Sequence, residues 1–158
     1  MKLTERFKRY ISIPETSLLR KFRNIILGVG LYIGWSTLIM KIYENYIPEV
    51  FGSPDPYVPS HSLEYIFIEN CILAPLFEEA VYRLPLSAAR NIPFKGMVQY
   101  CAIISSVLFG LEHWGGNWTV PMQGVLGLLF CWVYIKNGYS YLSSVLMHSL
   151  INLYIFLE

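Results

Sequence analysis

The feature that most constrains this chain is a series of apolar stretches longer than a small globule can hide. Ile25–Met40 runs for 16 residues without Lys, Arg, Asp, Glu or His, and Met97–Leu111, Val120–Ile135 and Tyr141–Met147 repeat the pattern. The 158 residues are 54% hydrophobic and 15% charged, where a soluble domain carries about 25% charge. A chain this short makes one domain, and a small domain must cover a large surface with polar groups. This composition excludes a disordered chain, a soluble nucleic-acid binder and a small disulfide scaffold. It predicts an all-α polytopic membrane bundle of about five transmembrane helices around a polar cavity. In a bilayer every backbone polar group must be satisfied internally, and a helix does so.

Along the chain, residues 1–23 form a basic tail or interfacial helix and residues 24–158 the membrane domain. The first span is Ile25–Met40, where Gly30 and Gly34 form a GxxxG pair that admits a close neighbour. Pro48, Pro54, Pro56, Pro59 and Gly52 make residues 46–62 a loop. Leu63–Asn91 reads as one long helix or two stacked pieces, with Pro75 as the expected kink. Met97–His113, Val120–Ile135 and Tyr141–Leu157 supply three more spans. The segment Trp114–Trp118 reads as an interfacial turn, and Lys136–Gly138 as a second turn. Cys71, Cys101 and Cys131, each inside an apolar run, read as free thiols.

Net charge is +1, which gives no global bias toward an acidic partner, but seven of the 12 Lys and Arg lie in the first 23 residues. Arg83, Arg90, Lys95 and Lys136 fall on the same side of the predicted bundle, and Lys41 on the other. Basic residues stay cytoplasmic, so the reading is an integral protein of a prokaryotic plasma membrane with its N-terminus in the cytoplasm and Glu158 outside.

Ionisable groups within spans cost about 2.5–3.5 kcal/mol each at a helix centre, so those present need a reason. Glu78, Glu79 and Arg83 form the first cluster. Glu79 and Arg83 share a helix face and can pair; Glu78, about 100° away, is free to face a different cavity. Phe109 and His113 share a face at the end of their span. His148 and Asn152 share a face within the last span, and both can donate hydrogen bonds. Each cluster alone is compatible with helix packing.

Taken in order, EExxxR, FxxxH and HxxxN resemble the CPBP family: the CAAX prenyl endopeptidase and bacteriocin-processing or self-immunity group, also called the Abi family of glutamic intramembrane proteases. The residues leading into the first motif, Leu73-Ala74-Pro75-Leu76-Phe77-Glu78-Glu79, add to the match, which covers about residues 64–157. The resemblance implies that Glu78 is the general base, that His113 helps to hold and activate a water, and that His148 and Asn152 form the oxyanion hole. Glu79, Arg83 and Phe109 would be supporting residues. Two departures stand out: Leu84-Pro85 follows the arginine where family members often have glycine, and fewer spans precede the first motif than in larger members.

The resemblance implies a peptide or protein substrate, membrane lipid as surroundings, and amide hydrolysis with no metal, no other cofactor and no covalent intermediate. Elementary chemistry agrees. A carboxylate in an apolar cavity is a stronger base than one in water, and a tetrahedral oxyanion needs fixed donors. The chemical rival is a zinc protease using His113, His148, Glu78 and Glu79, although no HExxH is present. The non-enzymatic rival is a bacteriocin self-immunity or adaptor protein. Helix polarity puts the cavity mouth at the end of the bundle holding residues 46–62, 114–118 and 158, which by charge is extracytoplasmic and suits an exported substrate.

Overall fold

The computed structural model describes residues 17–46, 62–113 and 119–157. Among these residues the fold is all-α. α1 is Leu18–Tyr46 and α2 is Leu63–Ile68. A π-helical turn, Glu69–Leu73, joins α2 to α3, Ala74–Ala89. α4 is Met97–Glu112, α5 Thr119–Lys136 and α6 Tyr141–Leu157. The expected tail at 1–16, the loop at 47–61, the Trp114–Trp118 turn and Glu158 lie outside the described residues.

Two boundaries differ from the sequence reading. α1 begins at Leu18 rather than Ile25, so Arg20, Lys21 and Arg23 belong to the same rod as the first apolar run. Charge alone does not stop a helix. Residues 18–24 contain neither Gly nor Pro, and the Ser17 hydroxyl accepts the Arg20 N–H at 3.4 Å to cap the start. The other difference is at Pro75. The irregularity falls one turn earlier, in the π-helical stretch, and Pro75 sits at the start of α3. A proline ring clashes with the carbonyl four residues back, and a widened turn there relieves it. Pro85 lies inside α3, which continues to Ala89.

The packing is inverted relative to a soluble protein. On α3 the buried positions include Glu79, Arg83 and Leu86, while Phe77 is 71% exposed and Val81 65%. α4 buries Ser105 and Ser106 and exposes Ile103, Ile104, Val107, Leu108 and Leu111. An apolar exterior around a polar interior is the arrangement a bilayer selects. α1 is long and apolar enough by itself to cross a membrane. α4, α5 and α6 are shorter apolar helices of 16, 18 and 17 residues.

α5 packs against α4, α1 and α6. Its Leu126, Phe130 and Val133 meet Ile25 and Tyr32 of α1, Phe109 of α4 and Met147 and Ile151 of α6 in the main apolar core. Two glycines permit the close approaches. A Cβ on Gly127 would lie 3.0 Å from the Ser106 Cα, and one on Gly28 would lie 2.6 Å from the Met147 sulfur. The α5–α6 turn closes on Gly138 and Tyr139, both at positive φ (72° and 61°), with the Tyr139 N–H on the Tyr134 carbonyl at 2.8 Å. Asn137 in that turn ties α1 down: its Oδ1 accepts from Asn24 at 2.7 Å and its Nδ2 donates to the Lys21 carbonyl at 3.2 Å. The three cysteines are free thiols.

Candidate active site

Two adjacent glutamates on α3 occupy different environments because one helical step rotates the side chain by about 100°. Glu79 points into the bundle and Arg83 stands one turn further along the same face; both are fully buried. Arg83 Nε donates to Glu79 Oε2 at 3.0 Å, the pairing their spacing of four anticipates. The same oxygen accepts from the Ser144 hydroxyl of α6, and Glu79 Oε1 lies 3.0 Å from His148 Nδ1.

Arg83 is held as firmly. Its Nη1 donates to Ser105 Oγ at 2.7 Å and to Cys131 Sγ at 3.4 Å. Ser105 passes its own hydrogen to the Tyr82 carbonyl at 2.8 Å. Nη2 has no hydrogen-bond partner among the described residues. The guanidinium carbon instead lies 5.4 Å from the Phe109 ring centroid, 5.5 Å from Phe130 and 5.7 Å from Tyr82. Ring faces attract a desolvated cation, so aromatic packing takes the place of the missing acceptor.

Glu78 faces a cavity of about 270 Å³ whose lining includes Asn70, Phe109, His113, Gln123, Leu126, His148 and Asn152. Its Oε2 accepts no hydrogen bond among the described residues. Two imidazoles address that oxygen: His113 Nε2 at 3.6 Å and His148 Nε2 at 3.9 Å. Each ring is anchored by its other nitrogen. His113 Nδ1 is 2.9 Å from the Phe109 carbonyl, which can only accept, so Nδ1 carries the hydrogen. His148 Nδ1 faces a carboxylate already receiving Arg83 and Ser144 and is a donor as well. Both Nε2 atoms are thereby aimed at Glu78.

Aromatic packing fixes the ring planes. Phe130 stacks on His148 with centroids 4.4 Å apart. Phe109 lies 4.5 Å from the His113 ring and 5.9 Å from that of His148. Asn152 Nδ2 donates to the Asn70 carbonyl at 2.7 Å. Glu78, His113, His148 and Asn152, drawn from three separated segments, therefore line one cavity. Its lining lies toward the ends of the helices marked by Leu63, His113, Thr119 and Leu157. Among the described residues no group of three His, Cys, Asp or Glu is placed to hold a metal ion.

Sequence reading missed several contributors. Ser144 is one turn before His148 and Ser105 one turn before Phe109, so helical spacing from the motif histidine and phenylalanine could have found both. Phe130 and Asn70 carry no local signal, because their roles arise from packing between helices. Glu112 accepts the Tyr82 hydroxyl hydrogen, a contact between α4 and α3 that no local spacing announces.

Residues 61–154 match the family described as Type II CAAX prenyl endopeptidase Rce1-like. The UPF0177 protein YxdF of Lactococcus lactis subsp. lactis (strain IL1403) is 31% identical over 86 residues, a match covering 52% of this chain and 44% of that protein. No solved structure gives a significant match. The family match spans well over half of the chain and contains all three motifs: the chain belongs to the type II CAAX prenyl endopeptidase Rce1-like family, a family of membrane-embedded peptidases.

Proposed function

We propose that the protein is an intramembrane endopeptidase that hydrolyses a peptide bond with a glutamate-activated water. The observation that carries this reading is the convergence of His113 Nε2 and His148 Nε2, at 3.6 and 3.9 Å, on a Glu78 oxygen that has no hydrogen-bond partner among the described residues. A neutral His113 presents a lone pair to a carboxylate, and two acceptors face each other only across a shared donor. Water donates twice, once to each. Glu78 takes one proton as the water oxygen bonds the scissile carbonyl carbon, and the carbonyl π pair moves onto its oxygen. His148 and Asn152 stabilise that oxyanion, the C–N bond breaks, and Glu78 returns the proton to the leaving amine. His148 Nδ1 is committed to Glu79, so donation from Nε2 to the oxyanion requires both ring nitrogens to carry hydrogen.

The substrate in this reading is exported: a secreted peptide or a sorting signal on a translocated protein. The cavity sits at the end of the bundle opposite Arg90, Lys95 and Lys136, and basic residues mark the cytoplasmic side. Maleimide labelling of Asn117→Cys in intact cells tests the orientation, and protection from an impermeant reagent would reverse it. Comparing membrane and secreted peptides between the wild type and Glu78→Gln tests the chemistry. A precursor that accumulates uncut is the expected result. Identical peptide profiles alongside a retained binding phenotype would favour a self-immunity or adaptor role.

A further inference from the structure

We propose that Pro75 and the widened turn before it position Asn152, fixing which way its amide faces in the cavity; the catalytic consequence rests on the oxyanion reading above. In an α-helix the Asn70 carbonyl would accept from the N–H of Ala74. Here the Ala74 N–H donates to the Glu69 carbonyl, one residue further back. In that wider register the next donor for Asn70 would be residue 75, and proline has no N–H. The main chain thus offers the Asn70 carbonyl neither bond, and Asn152 Nδ2 of α6 donates to it at 2.7 Å.

The consequence is chemical. An amide side chain has an oxygen end that accepts and a nitrogen end that donates, similar in shape. A carbonyl only accepts, so the group facing Asn70 must be the NH₂. One hydrogen is spent there, and the second stays on the side of the chain that lines the cavity with His148. Without the Asn70 carbonyl the amide can turn over and present Oδ1, which would repel an oxyanion. Asn70 acts through its main chain, so replacing its side chain does not probe the device, whereas replacing Pro75 does. Alanine at 75 supplies an N–H that can cap Asn70 in the wide register. If the turn tightens, the Ala74 N–H caps it instead. Both outcomes give the Asn70 carbonyl a main-chain donor that competes with Asn152 for its lone pairs and loosens the hold on the amide.

The test uses the full chain in lipid nanodiscs with ¹⁵N-labelled asparagine, the Asn152 amide pair being assigned by its loss in Asn152→Ala. Pro75→Ala should shift that pair and speed its hydrogen exchange while the Asn24 and Asn137 pairs stay in place. An unmoved Asn152 pair overturns the proposal. Should Pro75→Ala not assemble, Asn152→Ala with ¹³C at the Asn70 carbonyl asks the same question from the other side, and an unshifted carbonyl overturns it equally. With a cleavable peptide in hand, Pro75→Ala should lower kcat about tenfold with KM unchanged, as a misaimed group does. It should add no further loss in an Asn152→Ala background. Full kcat in Pro75→Ala overturns the catalytic consequence. A shifted Asn152 resonance in a protein whose wild type cleaves nothing would support the positioning role and sink the peptidase reading alone.

Discussion

Glu78 and Glu79 are neighbours in sequence and opposites in structure. Glu79 is fully buried and takes Arg83, Ser144 and His148 on its two oxygens. Glu78 keeps an oxygen with no hydrogen-bond partner among the described residues and lines a cavity. The satisfied carboxylate is an anchor: every atom that could react is already occupied. The unsatisfied one carries the cost of a desolvated oxygen without a donor, and the proposed reaction gives that cost a purpose. His148 joins the two regions, with Nδ1 on Glu79 and Nε2 toward Glu78.

The comparison breaks most visibly at Arg83. Truncating one partner of a buried, hydrogen-bonded ion pair leaves the other charge uncompensated, at about 3–5 kcal/mol. Arg83→Ala should therefore fail to accumulate, or unfold at far lower denaturant in detergent. Arg83→Lys keeps the charge but loses the planar fork that spans Glu79, Ser105 and the aromatic faces, and should cost about 1–3 kcal/mol, roughly the worth of one charge-assisted hydrogen bond. An Arg83→Ala protein as stable as the wild type would mean the buried pair anchors nothing.

Glu78→Gln should behave in the opposite way. It leaves the buried network of Glu79, Arg83, Ser144 and His148 in place, so stability should move by less than about 1 kcal/mol. Peptide cleavage should fall by about 10²–10⁴, the worth of a general base. Unfolding curves and initial rates on the same preparation measure both. A variant that loses stability and activity together would erase the distinction between the two glutamates.

How much of this could be read in the sequence follows from how local each signal is. The Glu79–Arg83 pair is a spacing of four on one helix, and the structure forms it at 3.0 Å. The four motif residues were legible as a set through family resemblance, and the structure brings them to one cavity. Three things were not legible. Ser144 reaches Glu79 across 65 positions of chain, which no local pattern encodes. Pro75 announces a disturbed helix, but the widened turn leaves the Asn70 carbonyl to a donor 82 residues away, Asn152, and no local pattern names that donor. The third is that the helix holding the first apolar run begins at Leu18: the edge of an apolar run marks a span, whereas a breaker or a cap ends a helix.

The smallest expected effect lies at the boundary between the two regions. Glu112 is an exposed carboxylate directly before His113, and it accepts the hydroxyl hydrogen of Tyr82, which stands one turn beyond Glu78 on α3. If being an acid near the histidines were enough for catalysis, Glu112 would qualify. The structure gives two reasons why it should not. It is partnered, and it is not among the groups lining the cavity. Glu112→Gln keeps an acceptor for Tyr82, because the amide oxygen takes the same hydrogen bond, and loses only the charge assistance at an exposed site, worth less than about 1 kcal/mol. Cleavage should change by less than about threefold, since an exposed charge outside the cavity lining is screened by solvent. Rates for Glu112→Gln beside Glu78→Gln, at one pH and one lipid composition, decide the matter. If both fall by the same large factor, the reacting centre extends to Glu112, and the contrast between an occupied and a free carboxylate on α3 is too narrow a description of the site.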